Sequence, residues 1–323
     1  MLRAFLADVA QIADCACVTL WDERLGPLRL PRVDFVPIAD RDLERTMFHR
    51  LAGECDASFV IAPEFDGILA RRRRWVDEAG GRFVGCTADA IELCADKLRL
   101  ARSLSERGIR TPKTVALDVQ RRNPDPPFPI VVKPRDGAGS AHTFLVHDAD
   151  ELRRLPLPES GWPSEFVCQP FVAGTAISTA AIIADRGRVR VFPIGAQRLS
   201  DDGRFRYLGG EIPAGWSGTG GAIVDEPQLH QAAEDLARTI VEIIPGLAGY
   251  VGFDLVVPAA PPREPVLIEI NPRLTTAYVG YRRLAEENLA ERVLFPDRAA
   301  GEIRWRGGCV SFEPDGTTQY DES

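Results

Sequence analysis

Between residues 251 and 271 the chain spells two strands with alternating apolar and polar positions, and this pair constrains the fold more than any other stretch. In 251–257 the odd positions Val251, Phe253, Leu255 and Val257 are apolar, and Asp254 points to the opposite face. In 267–271, Ile268 and Ile270 share one face while Glu269 and Asn271 share the other, because side chains alternate along a strand. The connection 259–264 contains Pro261-Pro262 and suits a hairpin loop. Pairing Pro258 with Pro265 then sets Asp254 directly opposite Glu269. Two facing carboxylates repel, and a hard divalent cation resolves the repulsion. Oxygen donors from Asp254, Glu269 and Asn271 suit Mg²⁺, which is usually held by one or two carboxylates plus substrate phosphates. A polar face turned to solvent has the same spacing, so the pattern alone leaves both readings open.

Cations narrow the choice. Of 39 basic residues, only Lys97, Lys113 and Lys133 are lysine. Where arginine is the default, a surviving lysine marks a place for a compact ammonium on a flexible stem. Lys133 ends an apolar strand at 130–133 and precedes the Gly/Ser-rich loop 135–141. Backbone N–H groups of such a loop approach phosphates closely, and the lysine adds a cation. The order is not that of a Walker A loop, where lysine follows the glycines and a helix comes next. An ordinary hairpin loop is the competing reading. Lys97 follows Asp96 within a helix that Thr87 caps, Asp89 favours at its positive end, and Gly108 ends. Ile91, Cys94, Leu98 and Ala101 form its apolar stripe.

Around these segments the first 95 residues alternate helices (2–12, 40–52, 67–78) with extended runs (16–20, 34–38, 57–62, 82–84), the rhythm of a small parallel sheet. Arg71–Arg74 is flanked by Asp66, Asp77 and Glu78 and reads as a solvated helix face. After a Pro-rich linker at 123–129 the pattern turns to hairpins: strands at 142–146, 166–169, 176–184, 189–194 and 205–208, with a turn at 185–187. A Gly-rich stretch covers 209–221, and Arg206 together with Gly209-Gly210-Glu211 suits a mobile substrate loop. A long helix opened by Asp225 and Pro227 runs to 244, a last helix covers 279–293, and the tail after Pro314 reads as loose. Thr275, Thr276 and Tyr278 are weaker pocket candidates, with core packing as the alternative.

Composition removes several function classes. The net charge of −8 argues against general nucleic-acid binding, which needs clustered cations. No apolar run approaches the ~18 residues of a membrane span. Arg3 and Asp8 interrupt the apolar start, so no signal peptide is read and the cytoplasm is expected. The seven cysteines are odd in number and lack Cys-x-x-Cys, which fits reduced, mostly buried thiols. The four histidines lack zinc-site spacing. A Gly-x-Gly-x-x-Gly fingerprint after the first strand is missing, which weighs against an NAD oxidoreductase.

Taken in order, Asp96-Lys97, Gly108–Pro112, Val132-Lys133-Pro134 with Gly137 and Gly139, Val167–Gly174, Gly252-Phe253-Asp254 and Leu267–Arg273 resemble the ATP-grasp superfamily of carboxylate–amine ligases across about residues 86–275. The resemblance implies an α/β (α+β) ATP-grasp fold. An N-terminal Rossmann-like pre-ATP-grasp domain (1–95) precedes a central lid subdomain (96–175) and a C-terminal subdomain with the magnesium site (176–323), the last two clasping ATP. It implies that Lys97 and Lys133 hold ATP phosphates, with Gly137, Gly139 and Ser140 covering them. Gln169, Pro170, Phe171 and Val172 would border the adenine. Asp254, Glu269 and Asn271 would bind Mg²⁺, with Mn²⁺ as a substitute. Arg273 and Lys133 would be the catalytic pair, Arg273 meeting the carboxylate substrate or its acyl phosphate. Two departures stand out: Gln169 replaces the common hinge Glu, and Ala176 stands near a Glu that usually touches ribose.

Within the superfamily, residues 61–69 (Ile-Ala-Pro-Glu-Phe-Asp-Gly-Ile-Leu), Gln169-Pro170-Phe171 and 270–280 look most like tyramine–glutamate ligases of methanofuran and methylofuran biosynthesis. That implies small-molecule substrates, L-glutamate and tyramine, and neither nucleic acid nor membrane as partner. The alternatives are a different amino acid or peptide with another amine, or a nucleotide-binding module without turnover. A homodimer is left open.

Overall fold

In the computed structural model, which describes residues 1–118, 126–157, 165–184, 187–213, 227–298 and 301–322, parallel pairing is confined to the N-terminal third and antiparallel sheets follow. Helix α1 (Leu2–Val9) buries Phe5, Leu6 and Val9. Strands β1 (Cys17–Asp22) and β2 (Val33–Ile38) pair in parallel, Cys17 opposite Val33. The extended runs expected at 57–62 and 82–84 meet in a single parallel bridge, Ser58 with Phe83. Helix α2 (Arg41–Glu54) starts where the Asp40 carboxylate accepts from the Leu43 N–H, and α3 (Ile68–Glu78) follows. Arg72, Arg73 and Arg74 of the run on α3 pair with Glu44, Asp77 and Glu92. Arg71 and Arg74 are exposed as a solvated face requires, but Arg72 and Arg73 are largely covered, Arg73 lying over the Phe83 ring.

The helix expected from Thr87 to Gly108 is instead two helices with a corner between them. Thr87 does cap α4 (Ala88–Ala95), accepting from the Ala90 N–H. Asp96 leaves the helical region (φ −87, ψ 93) and its carboxylate accepts from Leu98 and Arg99 N–H, so it caps α5 (Lys97–Ser105). Arg135 grips the same carboxylate through Nε (2.9 Å) and Nη2 (2.6 Å). Periodicity cannot reveal this corner, because a capping aspartate also fits a helix surface.

A small antiparallel sheet follows: β3 (Val115–Ala116), β4 (Ile130–Pro134), β5 (Phe144–Val146) and, after α6 (Ala149–Arg154), β6 (Phe166–Pro170), in the order β3-β6-β4-β5. It has an apolar cluster of its own, built from Ile130, Val132, Phe144, Val146, Phe166 and Cys168 among others. The large sheet contains β7 (Gly174–Ile183), β8 (Val189–Val191), β9 (Gly195–Leu199), β10 (Tyr207–Ile212), and, after α7 (Pro227–Ile243), β11 (Gly249–Pro258) and β12 (Val266–Asn271). Beyond α8 (Tyr278–Leu284) and α9 (Leu289–Leu294) come β13 (Cys309–Phe312) and β14 (Thr318–Asp321). Among the described residues the order is β12-β11-β7-β9-β10-β13-β14, with β8 on β7. One buried cluster runs from Leu69, Ile91 and Leu104 to Val251, Phe253 and Ile270, so the N-terminal helices share a core with this sheet.

Several expectations need correction. The helix read over 279–293 breaks into α8 and α9, because Ala285 (ψ 133) leaves the helical region and Asn288 then caps α9. The tail forms β14, paired along β13, rather than a loose end. Gly209-Gly210-Glu211 is not a mobile loop: it lies in β10 between β9 and β13, and Glu211 is buried. A Cβ at Gly209 would sit 2.1 Å from the Phe312 carbonyl, so glycine there serves strand packing. Residues 123–125 of the linker, the turn at 185–186, residues 214–221 of the Gly-rich stretch and the Asp225 helix start lie outside the described residues.

Candidate active site

A cleft of about 650 Å³ lies between the small sheet and the large one. Its floor is the β11–β12 pair, with Asp254 opposite Glu269 as the alternation requires. The route to that pairing differs from the expected one. Leu255 faces Leu267, so Pro258 and Pro265 are out of step by one, and Ile268 is the extra residue of a β-bulge that restores the match at Asp254. The bulge also turns Ile268 into the cleft, rather than onto the Ile270 face. Gly252 beside this row has no Cβ because one would meet Thr275 Cγ2 at 2.4 Å.

Charges on the floor are paired across elements distant in sequence. Lys97, at the first position of α5, is buried, and its Nζ lies 3.0 Å from Glu269 Oε1 while donating to the Gly137 carbonyl. Lys133, on β4, is also buried; burial and the neighbouring Lys97 lower its ammonium pKa to about 8. Burial alone would raise the Glu269 carboxyl, but Lys97 and Lys133 outweigh it and hold it below its ordinary value. Asp254 is pushed up to about 6 by burial and then by Glu269. It accepts from Gln197 Nε2 (2.7 Å) and Asn271 Nδ2 (2.8 Å). The Asn271 Oδ1 in turn accepts from Arg273 Nη2 at 3.2 Å. Among the described residues no three His, Cys, Asp or Glu side chains cluster as a metal site. The candidate donor set is two carboxylates and one amide oxygen; burial first and Glu269 second raise the Asp254 carboxyl, and a hard cation would relieve the repulsion between the two carboxylates.

The roof and rim are equally specific. In the loop after Lys133, Gly139 has φ +64, and the non-glycine residues Ser140 and His142 also hold left-handed φ values of 59° and 53°. Such conformations cost ~1 kcal/mol or more each and collect at functional loops. Gln169 is buried and donates to Thr114 Oγ1 at 2.7 Å. Pro170, Phe171, Val172 and Ala176 line the cleft, though the Phe171 N–H is already committed to the Pro129 carbonyl. Thr275 and Thr276 line it too. Tyr278 does not: its hydroxyl donates to Asp8 Oδ2 at 2.6 Å, and Arg282 Nε meets the same oxygen at 2.7 Å, a packing cluster that ties α1 to α8. The structure thus brings together Lys97, Lys133, Gly137, Gly139, Ser140, Gln169, Asp254, Glu269, Asn271 and Arg273 around one cavity.

Sequence reasoning missed two contributors. Gln197, on β9, gives no signal beyond a polar residue in an unrecognised strand. Glu64 is almost wholly buried and holds Arg273 through Nε (2.5 Å) and Nη2 (3.2 Å). Its signal was at hand, since it lies inside the 61–69 segment that carries the finer resemblance.

The description of an ATP-grasp domain matches residues 94–277, more than half of the chain and every charged residue that lines the cleft. The chain belongs to the ATP-grasp family. A pre-ATP-grasp domain description matches residues 15–91 of this ATP-grasp chain. It is similar to the tyramine–L-glutamate ligase of Methanocaldococcus fervens, 27% identical over 256 residues, covering 79% of this chain and 71% of that protein. Among solved structures, an ATP-grasp superfamily protein from Archaeoglobus fulgidus superposes with a TM-score of 0.63 at 22% identity, covering 87% of this chain and 74% of the other. The L-amino acid ligase of Bacillus licheniformis does so with a TM-score of 0.69 at 17% identity, covering 91% and 72%. The ATP-grasp fold, an N-terminal module followed by two subdomains around a cleft, is thus the expected one, and the chain is an enzyme of the ligase class. Among the described residues no helix is long and apolar enough to cross a membrane.

Proposed function

We propose that this ATP-grasp chain is an ATP-dependent carboxylate–amine ligase that joins the γ-carboxylate of L-glutamate to the amine of tyramine. One observation carries the reading. Two of three lysines, Lys97 and Lys133, are buried against the Asp254–Glu269 pair on the floor of a single cleft. Burying ammonium groups is costly unless an anion awaits them, and a triphosphate supplies one.

In this reading Lys97 and Lys133 hold the ATP phosphates, and Gly137, Gly139 and Ser140 cover them. The segment Gln169 to Val172 borders the adenine, with Ala176 leaving the ribose without a carboxylate partner. Asp254, Glu269 and Asn271 would hold Mg²⁺, which supplies charge neutralisation at phosphate oxygens. Division at 1–95, 96–175 and 176–323 goes with this scheme, and the separate apolar cluster under the small sheet supports a lid that moves as one body.

The chemistry asks little covalent work of the protein. A substrate carboxylate oxygen attacks the γ-phosphorus, the bond to ADP breaks, and an acyl phosphate forms. The amine then attacks the acyl carbon, gives up a proton, and phosphate leaves. Positioning and charge neutralisation supply the rate, as in other phosphoryl transfers. Lys133 faces the transferred group as a cation, and Arg273 faces the carboxylate or its acyl phosphate. Each such electrostatic group is worth ~3 kcal/mol, about a hundredfold in rate.

The similarity to a tyramine–L-glutamate ligase supports the substrate pair. Incubation with ATP, Mg²⁺, L-glutamate and tyramine, followed by mass spectrometry and an ADP assay, tests it. The expected product is the γ-glutamyl amide with one ADP per bond. ADP formed only with another acid–amine pair would replace the substrates. ATP bound without ADP from any pair would replace the ligase reading with that of a binding module.

A further inference from the structure

The buried contact between Glu64 and Arg273 joins two parts of the chain 209 residues apart. Glu64 precedes α3 in the N-terminal module and is 1% exposed; Arg273 follows β12 and lines the cleft. The two Glu64 oxygens engage Arg273 Nε and Nη2, the edge-on geometry that fixes a guanidinium plane. Nη2 also reaches Asn271 Oδ1, so the arginine is clamped between the module and the metal-side strand. With Nε and Nη2 committed, Nη1 is the nitrogen left for a ligand; among the described residues its one hydrogen-bond contact is a long 3.4 Å approach to the Leu274 carbonyl.

We infer that Glu64 is a positioning residue. It fixes the plane of Arg273 so that the Nη1 edge faces the carboxylate being activated, and it makes the N-terminal module a structural part of the acid-binding end of the cleft. The inference rests on the ligase reading for its kinetic consequence, and on the Glu64–Arg273 contact alone for its geometric one. A merely structural staple between modules would show its loss in stability and in nucleotide affinity. A positioning residue shows it in the use of the acid.

The test compares wild type, Glu64→Gln, Glu64→Asp, Arg273→Lys and the double variant Glu64→Gln/Arg273→Lys. In the ADP-release assay, Glu64→Gln and Glu64→Asp should raise the KM for the carboxylate substrate at least tenfold, with the KM for ATP and the directly titrated Mg–ATP affinity within twofold of wild type. The aspartate keeps the charge but withdraws it by one methylene, so its failure to rescue separates position from charge. The double variant should be no worse than Arg273→Lys alone, since both act through one group. Equal shifts in both KM values, rescue by aspartate, or additive losses would overturn the inference. A crystal structure of Glu64→Gln gives a readout independent of substrate identity. The Arg273 guanidinium should swing away from Asn271 Oδ1 while α4 and β12 keep their places. An unmoved Arg273 would overturn the inference. If wild type releases ADP with no acid–amine pair, the ligase reading fails by itself, and the crystallographic outcome still decides the role of Glu64.

Discussion

Replacing Asp254 by Asn should make the ligand-free protein more stable and the enzyme inactive. The Asp254 carboxyl is pushed from 3.8 up to about 6 by burial and by Glu269. A shift of about two units is worth ~3 kcal/mol at pH 7, as stability withheld by holding the group ionised. Asparagine removes that term, but it gives up part of the hydrogen bonding. Gln197 and Asn271 both donate to Asp254 at 2.7 and 2.8 Å, and an amide oxygen can answer only one of them well. Relative to the neutral carboxyl, losing one such bond costs ~1 kcal/mol. The balance favours the variant by ~1–2 kcal/mol, a rise in melting temperature on the order of 3 °C for a chain of this size. The sign follows from proton counting. Between pH 3.8 and about 6 the native state keeps a proton that the unfolded chain has released, so wild-type stability falls as pH rises through that window. Thermal melts in chelator without nucleotide, from pH 3.5 to 8, should therefore show wild type ahead below pH 4, a crossover, and the variant ahead by a constant amount above pH 6. ADP release should fall at least a hundredfold. A variant less stable than wild type by the same margin at every pH would refute this account, because Asp254 would then be an ordinary structural carboxylate.

Glu269→Ala should abolish turnover while the chain stays folded, with a lowered melting temperature because Lys97 loses its partner at 3.0 Å; near-wild-type ADP release would remove Glu269 from the site. Lys133→Ala should cut phosphate release about a hundredfold, and wild-type ATP affinity should weaken as pH rises past about 8, where the Lys133 ammonium loses its proton. A flat affinity from pH 7 to 9.5 would count against that placement. Tyr278→Phe should leave kcat within twofold yet cost ~1.5–3 kcal/mol in urea unfolding, since its hydroxyl serves the buried Asp8 carboxylate rather than the cleft.

Much of this protein was legible in its strands. Alternation in 251–257 and 267–271 is a local property, and it put Asp254 and Glu269 on one row before any neighbour was known. The scarcity of lysine likewise marked Lys97, Lys113 and Lys133 without reference to a fold, and the neighbouring Asp96 and the Gly/Ser-rich loop set the first and last apart. Local signals failed where a residue serves two masters. Asp96 looks like a helix-surface acid, yet it caps one helix, ends another and anchors Arg135. Gly209 and Gly210 look like a flexible loop, yet they are glycine because Phe312 and Ala196 backbone atoms crowd them within one sheet.

What the sequence by itself determined is the set of chemical groups and the face each takes within its own strand or helix, because periodicity and capping act over a few residues. Tertiary structure alone decided which groups meet. It brought Lys97 to Glu269, Gln197 to Asp254 and Glu64 to Arg273, and it inserted the bulge at Ile268 that keeps two carboxylates opposed. Those encounters span 57 to 209 residues of chain. They depend on how sheets and helices bury their apolar faces against each other, a property of the packed whole that no local pattern encodes.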